Sequence, residues 1–507
     1  MSGEELRRRN MAKNLLEIPV LSSLLRSPWP WRLLRLALLL TTLVMIAYGW
    51  HQHAIPGVAT PDPLMYTNLA TYFFWNLWIM AVVFVALFLG RAWCTVCPVG
   101  WLNGLVIRFG LKRDLPPWLR NFVPVTLTLV VVQLSVYLFA VHRFPNYTAW
   151  LLAVVLLLAI LCGLLFRKRA FCSLLCPAGA VFGLYARLAP LELRVRDQGI
   201  CATCDTQDCV SGAPLWKRLT LGPALLYWRG TRNDCPADLV PAEICDSATC
   251  SLCLHCAQNC EKENIRIGLR PWLADLHQGR LSASEAFFFV VLLGMITANF
   301  AKVYTELREL IFAAPQQLAL ALGWGANGFY FFSALWVTLI FPLLLILPGY
   351  LLVRLGSAQI VTVPAGDTQS LPEPSPPPAF WSIVGRLALA GIPMILAAHV
   401  VLAVVKLNAK GAYLPFVLQD PRGVQSYLAM NVMHTVNQPG VLIPLDILKW
   451  LVLALLLLGY GLAIVAARRV ARVQGKIDRG YLAGAITVVT ILAGIYGSTV
   501  IRWLFIR

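Results

Sequence analysis

Charge is scarce in this chain. Asp, Glu, Lys and Arg make 13% of its 507 residues while 59% are hydrophobic, and the mean hydropathy is +0.70, a balance that excludes an ordinary soluble protein. Acidic residues are scarcer than basic ones, 24 against 42, for a net charge of +18. That excess does not mark a nucleic-acid binder, because the basic residues sit at the edges of long apolar runs, where lipid headgroups and membrane topology account for them. No C-x-x-C-H stretch occurs, so covalently attached c-type haem is not expected. The first thirty or so residues are polar and basic, with no small-residue cleavage site behind the first apolar run, so a cleaved signal peptide is not expected either. Arg7 to Trp31 reads instead as an interfacial arm. One G-x-G-x-x-G match, Gly323 to Gly328, lacks a preceding strand and reads as a loop rather than a nucleotide site.

What the chain has in quantity is apolar sequence. Nine stretches are long and apolar enough to cross a bilayer as helices, near 33–50, 70–90, 122–141, 149–166, 283–301, 329–353, 383–405, 446–467 and 482–501. Lys and Arg crowd the N-terminal arm, the loop from Arg91 to Arg120 and the loop near 470, whereas Trp50 to Asn68 contains none. The positive-inside rule then puts the N-terminus in the cytoplasm and, after nine crossings, the C-terminus outside. The division expected is a basic arm (1–32), a four-helix membrane module (33–189), an iron-sulfur domain (190–275), two further spans (276–355), a Pro-rich cytoplasmic linker (356–380) and a C-terminal three-helix module (381–507).

Fourteen cysteines complete the picture. Cys250, Cys253, Cys256 and Cys260 follow C-x2-C-x2-C-x3-C, the spacing with which a tight loop offers three thiolates to one [4Fe-4S] cluster and a fourth to its neighbour. The neighbour's ligands are then Cys201, Cys204 and Cys209 with Cys260, while Cys250, Cys253 and Cys256 take Cys235 or, as an alternative, Cys245. Disulfides or zinc are the competing uses of C-x2-C pairs, but thiols on a reducing face in this rhythm favour iron-sulfur.

Two further pairs close apolar hairpins: Arg91-Ala-Trp-Cys94-Thr-Val-Cys97-Pro-Val-Gly100 and Arg169-Ala-Phe-Cys172-Ser-Leu-Leu-Cys176-Pro-Ala-Gly179. Proline suits the first position of a helix, so Cys97 and Cys176 fall at N-caps, where free amides and the helix dipole favour a thiolate of low pKa. Cys94, Cys97, Cys172 and Cys176 are open between a further cluster, a redox dithiol and packing. Cys162, alone in a span, reads as core.

These paired hairpins followed by a ferredoxin-like segment, over about residues 70 to 270, resemble the NapH/NosR-type membrane polyferredoxin family of 4Fe-4S electron-transfer proteins. The resemblance implies electron traffic between the quinone pool, cytoplasmic clusters and a periplasmic reductase or other redox protein, alongside other membrane or cytoplasmic electron-transfer subunits. It also implies a multi-pass protein of the bacterial inner membrane. No periplasmic flavin domain like that of NosR is expected before the first span.

In the C-terminal module, His399 and His434, with Met430 and Met433 near the latter, allow a sharper reading as haem b, quinone or copper ligands. Scattered interfacial side chains are the plainer reading, because no ligand spacing is enforced. The whole is an all-α polytopic membrane protein of about nine transmembrane helices with a cytoplasmic ferredoxin-like insert for two [4Fe-4S] clusters. Its expected role is electron transfer. The alternative is an accessory or maturation factor that supplies electrons to, or handles metal for, a periplasmic metalloenzyme.

Overall fold

The computed structural model describes residues 14–51, 55, 64–212, 214–221, 224–231, 234–277, 280–302, 305–358, 379–473 and 476–505. Most of the expected 356–380 linker, together with His53, lies outside them. Among the described residues, eight helices are long and apolar enough to cross a membrane: Pro28–Gly49, Leu69–Phe109, Pro145–Leu165, Ala283–Ala301, Gly325–Gly356, Phe380–Gln419, Leu445–Val470 and Arg479–Trp503. This is a multi-pass membrane protein. The stretch expected to cross at 122–141 forms a helix of only 16 residues, Val123–Leu138, about 24 Å long at 1.5 Å per residue. It stops early because Ala140 takes a left-handed φ of 49° and the Val141 N–H reaches back six residues to the Ser135 carbonyl at 3.5 Å, a Schellman-type ending made without glycine.

The chain divides into two compact units: residues 1–50, 84–120 and 149–275, and residues 51–83, 121–148 and 276–507.

In the first unit, two strands, Leu191–Val195 and Ile265–Leu269, pair antiparallel with Leu193 opposite Ile267 and Arg194 opposite Arg266. Alternation gives this ribbon two faces. Leu193, Ile265 and Ile267 pack with Leu16, Leu252, Leu254 and Cys256 in one core. The other face carries a buried ion network in which Glu192 pairs with Arg266 at 2.7 Å, and Asp275 pairs with Arg270 and, at 3.2 Å, with Arg194. The described part of the N-terminal arm departs from a free interfacial segment. Leu16 enters the apolar core, Asn14 Oδ1 accepts from the Ile267 N–H at 3.3 Å, and Arg26 pairs with Glu263 at 2.7 Å. Leu16 thus joins the core while Asn14 and Arg26 take their polar partners from the ribbon and its flanking loop.

In the second unit, glycines set the helix spacing. A methyl group added at Gly349 would stand 2.5 Å from the Gly484 carbonyl oxygen, and one at Gly484 the same distance from that of Gly349, so the helices Phe341–Ala358 and Arg479–Phe505 meet backbone to backbone. Small residues drive helix association where no hydrophobic effect operates. The Thr297 and Tyr496 hydroxyls of this unit share a buried hydrogen bond of 2.9 Å. Half of the G-x-G-x-x-G stretch is turn, with Gly323 and Gly325 at positive φ, and the rest opens the helix Gly325–Leu335.

Candidate metal centres

All the cysteines expected to serve as metal ligands lie in the first unit, in three groups. The first surrounds a small apolar cavity walled by Cys235, Cys250, Cys253 and Cys256 with Leu193, Leu239 and Ile244. The loop curls around it because Leu252 and Leu254, either side of Cys253, take left-handed φ values of 51° and 68°. Such backbone is costly for a branched residue, and here the burial of both leucine side chains in the core holds it. Cys235 is brought in by its N–H bonded to the Val210 carbonyl at 2.9 Å, and its Sγ accepts from the Leu239 N–H at 3.5 Å. Cys245 stays off the cavity: it is exposed, with its thiol turned to the Glu243 carbonyl at 3.4 Å.

The second group is gathered by Asn264, which donates Nδ2–H to Cys201 Sγ at 3.2 Å and its backbone N–H to Cys260 Sγ at 3.4 Å. Burial pushes the Cys209 thiol up to about 11, helped by the facing Cys260, Cys201 and Cys204. The two groups adjoin, since Cys256 is raised well above a free thiol by burial and then by Cys253, Cys250, Cys235 and, beyond them, Cys209.

The electrostatics of the first group state what belongs in it. Burial, with Cys253 next, lifts Cys250 to about 11. Cys253 itself falls to about 6, because the adjoining His255, followed by Arg169, outweighs its burial. Four thiolates on one apolar wall would repel and need a cationic centre among them, and four sulfurs spread around a cavity at C-x2-C-x2-C spacing fit a [4Fe-4S] cluster. Zinc would need the sulfurs about 2.3 Å from one point. Among the described residues no three His, Cys, Asp or Glu side chains are arranged to hold a single metal ion.

The third group comes from the hairpins, which are zipped together: Asn103 Nδ2–H donates to the Ala159 carbonyl at 2.7 Å, and Leu111 N–H to that of Leu164 at 2.6 Å. Cys97 and Cys176 cap the helices Pro98–Val106 and Pro177–Ala186, and Cys176 Sγ accepts the Gly179 N–H at 3.4 Å. The low pKa expected at such a cap does not follow at Cys176. Burial raises it, then Cys172, Cys97 and Cys94 raise it further, more than the one amide lowers it. Cys172 is likewise pushed up to about 12 by burial. Burial therefore favours the neutral thiol at Cys172 and Cys176 until a metal centre shares the site. Cys162 is buried with Phe171 and Leu174 in a separate core.

The hairpin repeat is longer than the cysteines suggest, for both copies carry Arg three residues before the first Cys and Gly three and seven residues after the second. Each arginine crosses to the other copy. A methyl group at Gly104 would stand 3.1 Å from Arg169 Nε, and one at Gly179 3.5 Å from an Arg91 terminal nitrogen. Arg91 also donates to the Ala248 carbonyl at 2.6 Å, Thr95 Oγ–H to that of Leu252 at 2.7 Å, and Lys168 Nζ to Asp234 at 2.6 Å and the Cys235 carbonyl at 3.1 Å. These bonds bolt the hairpins to the loop bearing the first group. Sequence reasoning missed Arg91, Arg169, Lys168 and Asn264 as site residues. The Arg-Ala-aromatic-Cys repeat was the available signal for the two arginines.

In the second unit, His434 is exposed at a left-handed φ of 53°, and His399 is half-buried in the helix Phe380–Lys410. Met430 is buried in a core with Tyr72, Tyr413 and Val417, and Met433 is exposed. This unit also contains a cavity of about 80 Å³ among the helices Val123–Leu138, Ala283–Ala301, Thr305–Ala321 and Gly325–Leu335, walled by Phe312, Phe329 and Tyr330, with Gln133, Tyr137 and Ser333 contributing polar groups. Ser333 Oγ is buried without a hydrogen-bond partner.

Residues 71–116 and 148–200 match a family described as a 4Fe-4S binding domain. The matched segments contain Cys94, Cys97, Cys172 and Cys176 and end just before Cys201. The chain is 32% identical over 227 residues to protein NirI of Paracoccus denitrificans, covering 38% of this chain and 32% of that one. It is 30% identical over 170 residues to YccM of Escherichia coli, whose name assigns it to electron transport, covering 27% of this chain and 46% of that one. The chain carries a match to a 4Fe-4S binding domain within a multi-pass membrane protein. An uncharacterised protein of Methanocaldococcus jannaschii is 22% identical over 207 residues, covering 37% of this chain and 76% of that one. The chain thus spans about a third of the length of NirI and under half of YccM. No solved structure matches it.

Proposed function

We propose that the protein is an electron conduit, in which three sulfur groups in series carry single electrons between a soluble face and the membrane. The observation that carries this reading is their adjacency. Cys209 of the second group lies within the electrostatic reach of Cys256 in the first and packs on the same core, and Arg91 lies within the electrostatic reach of Cys94, Cys172 and Cys250. Bound clusters would supply reversible one-electron chemistry. The chain's own part is to hold the thiols, exclude water and set the local charge. The family match over the hairpin cysteines supports a third cluster there, beside the two of the ferredoxin-like region.

Positive-inside counting favours a cytoplasmic face for the clusters in a bacterial inner membrane, with nine crossings if the short helix Val123–Leu138 inserts. The membrane end of the path would be quinone or a periplasmic redox partner. The cavity at Ser333 supports a quinone, having apolar and aromatic walls and a buried hydroxyl that lacks an acceptor or donor.

The test is iron and acid-labile sulfide per chain on anaerobically purified protein, with EPR during a redox titration, for wild type and Cys94→Ser/Cys176→Ser. About twelve irons in wild type and about eight in the double variant are expected, four per cluster. Equal iron in both would confine the clusters to the ferredoxin-like region. The accessory-factor alternative separates by turnover, since a conduit supports steady quinol oxidation with its partner, whereas a maturation factor is dispensable once that partner is complete.

A further inference from the structure

Arg91 and Arg169 are related by the hairpin repeat, and the fold exchanges them. Each comes from one hairpin and lies along the first turns of the helix that the other hairpin's Cys-Pro opens, beside Gly179 and Gly183 for Arg91 and beside Gly100 and Gly104 for Arg169. Those glycines are the reason the guanidiniums fit, since a methyl group at Gly104 would press on Arg169 Nε and one at Gly100 would stand 3.3 Å from Cys172 Sγ. The two charges are shared between thiol groups. Arg91 lies within electrostatic reach of Cys94 and Cys172 of the hairpin group and of Cys250 of the ferredoxin-like group, and one of its terminal nitrogens and Cys176 Sγ flank the same Gly179 position at 3.5 and 3.6 Å. Arg169 acts electrostatically on Cys97, Cys172 and Cys253, and one of its terminal nitrogens flanks the same Gly100 position as Cys172 Sγ, at 3.9 and 3.3 Å. Arg91 spends two further donors on the carbonyls of Ala248 and Thr249 at 2.6 and 3.4 Å, yet its Nε–H is buried without an acceptor. A merely structural arginine in a dry site is not expected to leave a donor unused.

We propose that Arg91 and Arg169 are positioning residues that form a cationic layer between the hairpin thiol group and the Cys235, Cys250, Cys253, Cys256 group, raising the reduction potential of the clusters on both sides of it. This rests on the reading that both groups hold clusters. Reduction of a cluster adds one electron and no proton, hence one negative charge, and a fixed guanidinium favours the charge-richer state. One layer serving two centres moves both potentials together, which keeps a step between them close to level.

The experiment is an EPR-monitored redox titration of the whole protein in detergent, with dithionite as reductant and ferricyanide as oxidant. It compares wild type with Arg91→Gln, Arg91→Lys, Arg169→Gln and, as a solvent-screened control, Arg167→Gln, whose guanidinium is exposed and pairs with Asp114 at 3.2 Å and Asp238 at 3.4 Å. Either glutamine variant should lower the reduction equilibrium of the two flanking clusters about tenfold or more, a fall of about 59 mV per tenfold for a one-electron couple. The Cys201, Cys204, Cys209, Cys260 centre should move less, and Arg167→Gln should move none. Arg91→Lys should stay near wild type, because it keeps the charge while losing the fork on Ala248 and Thr249. Normal iron content with unshifted potentials in Arg169→Gln overturns the assignment. So does an equal shift in Arg91→Lys and Arg91→Gln, which would mark the residue as a clamp. Wild-type protein without [4Fe-4S] signals would sink the cluster reading and this inference with it.

Discussion

Asp275→Asn should loosen the iron-sulfur region from beneath. One carboxylate oxygen of Asp275 receives Arg194 at 3.2 Å and also Arg270, and the other accepts the Ser247 N–H at 2.8 Å. All three of these charged residues are less than a tenth exposed. Without the charge, Glu192 is the carboxylate that the described ion pairs leave facing Arg194, Arg266 and Arg270. Removing one partner of a buried pair costs about 3 to 5 kcal/mol. At ~1.4 kcal/mol per factor of ten, the amides of Leu191–Val195, Ile265–Leu269 and the loop from Ser247 to Cys256 should exchange with deuterium at least ~100-fold faster. Hydrogen exchange read by mass spectrometry on the detergent-solubilised protein measures this, and the helices of the second unit serve as the internal control. Burial alone would raise the Asp275 carboxyl, but Arg270, then Arg194 and the Ser247 amide, hold it below its ordinary value. Its contribution is therefore complete above the unfolded-state pKa of about 3.9 and is lost as pH falls through the lower folded value. Loosening in wild type should set in below about pH 4, whereas Asp275→Asn is loose at neutral pH. Less than a tenfold change in exchange at neutral pH would refute the reasoning.

Cys235→Ser should cost about four irons per chain while Cys245→Ser costs none, since only the former lines the cavity; iron analysis decides, and the reverse pattern would reassign the ligand. Asn264→Ala removes the Nδ2–H donor to Cys201 Sγ. Hydrogen bonds to cluster sulfurs tune potential, so the midpoint of that centre alone should fall in the EPR titration. Ala334→Phe fills the cavity of the second unit and should slow quinol-dependent cluster reduction several-fold with iron content unchanged; a normal rate would move the quinone site elsewhere. Gly349→Leu should disrupt the backbone contact with Gly484 and lower the thermal stability of the second unit, read as loss of folded protein in a heated gel-filtration assay.

Much of this protein follows from local chemistry. Long apolar runs can only be helices that cross or line a membrane, because a bilayer leaves no other partner for the backbone. Cys-Pro placed Cys97 and Cys176 at helix starts, since proline cannot donate where a helix interior needs it. Other features depended on what came near in space. Val123–Leu138 ends where Ala140 turns left-handed, which no apolar count registers. The Cys176 cap does not make a thiolate, because three other thiols and burial outweigh one amide.

Cysteine spacing marked the thiols by itself, since ligands from one tight loop must be close in sequence. Which distant cysteine joins them was a question of tertiary structure: Cys235 and Cys245 are both within reach of the loop along the chain, and only the bond from Cys235 N–H to the Val210 carbonyl brings one to the cavity. The exchange of Arg91 and Arg169 between hairpins is the extreme case. Their residue types are written in the repeat, but a charge acts through space, and only folding put each beside the other hairpin's glycines and between two sets of sulfurs.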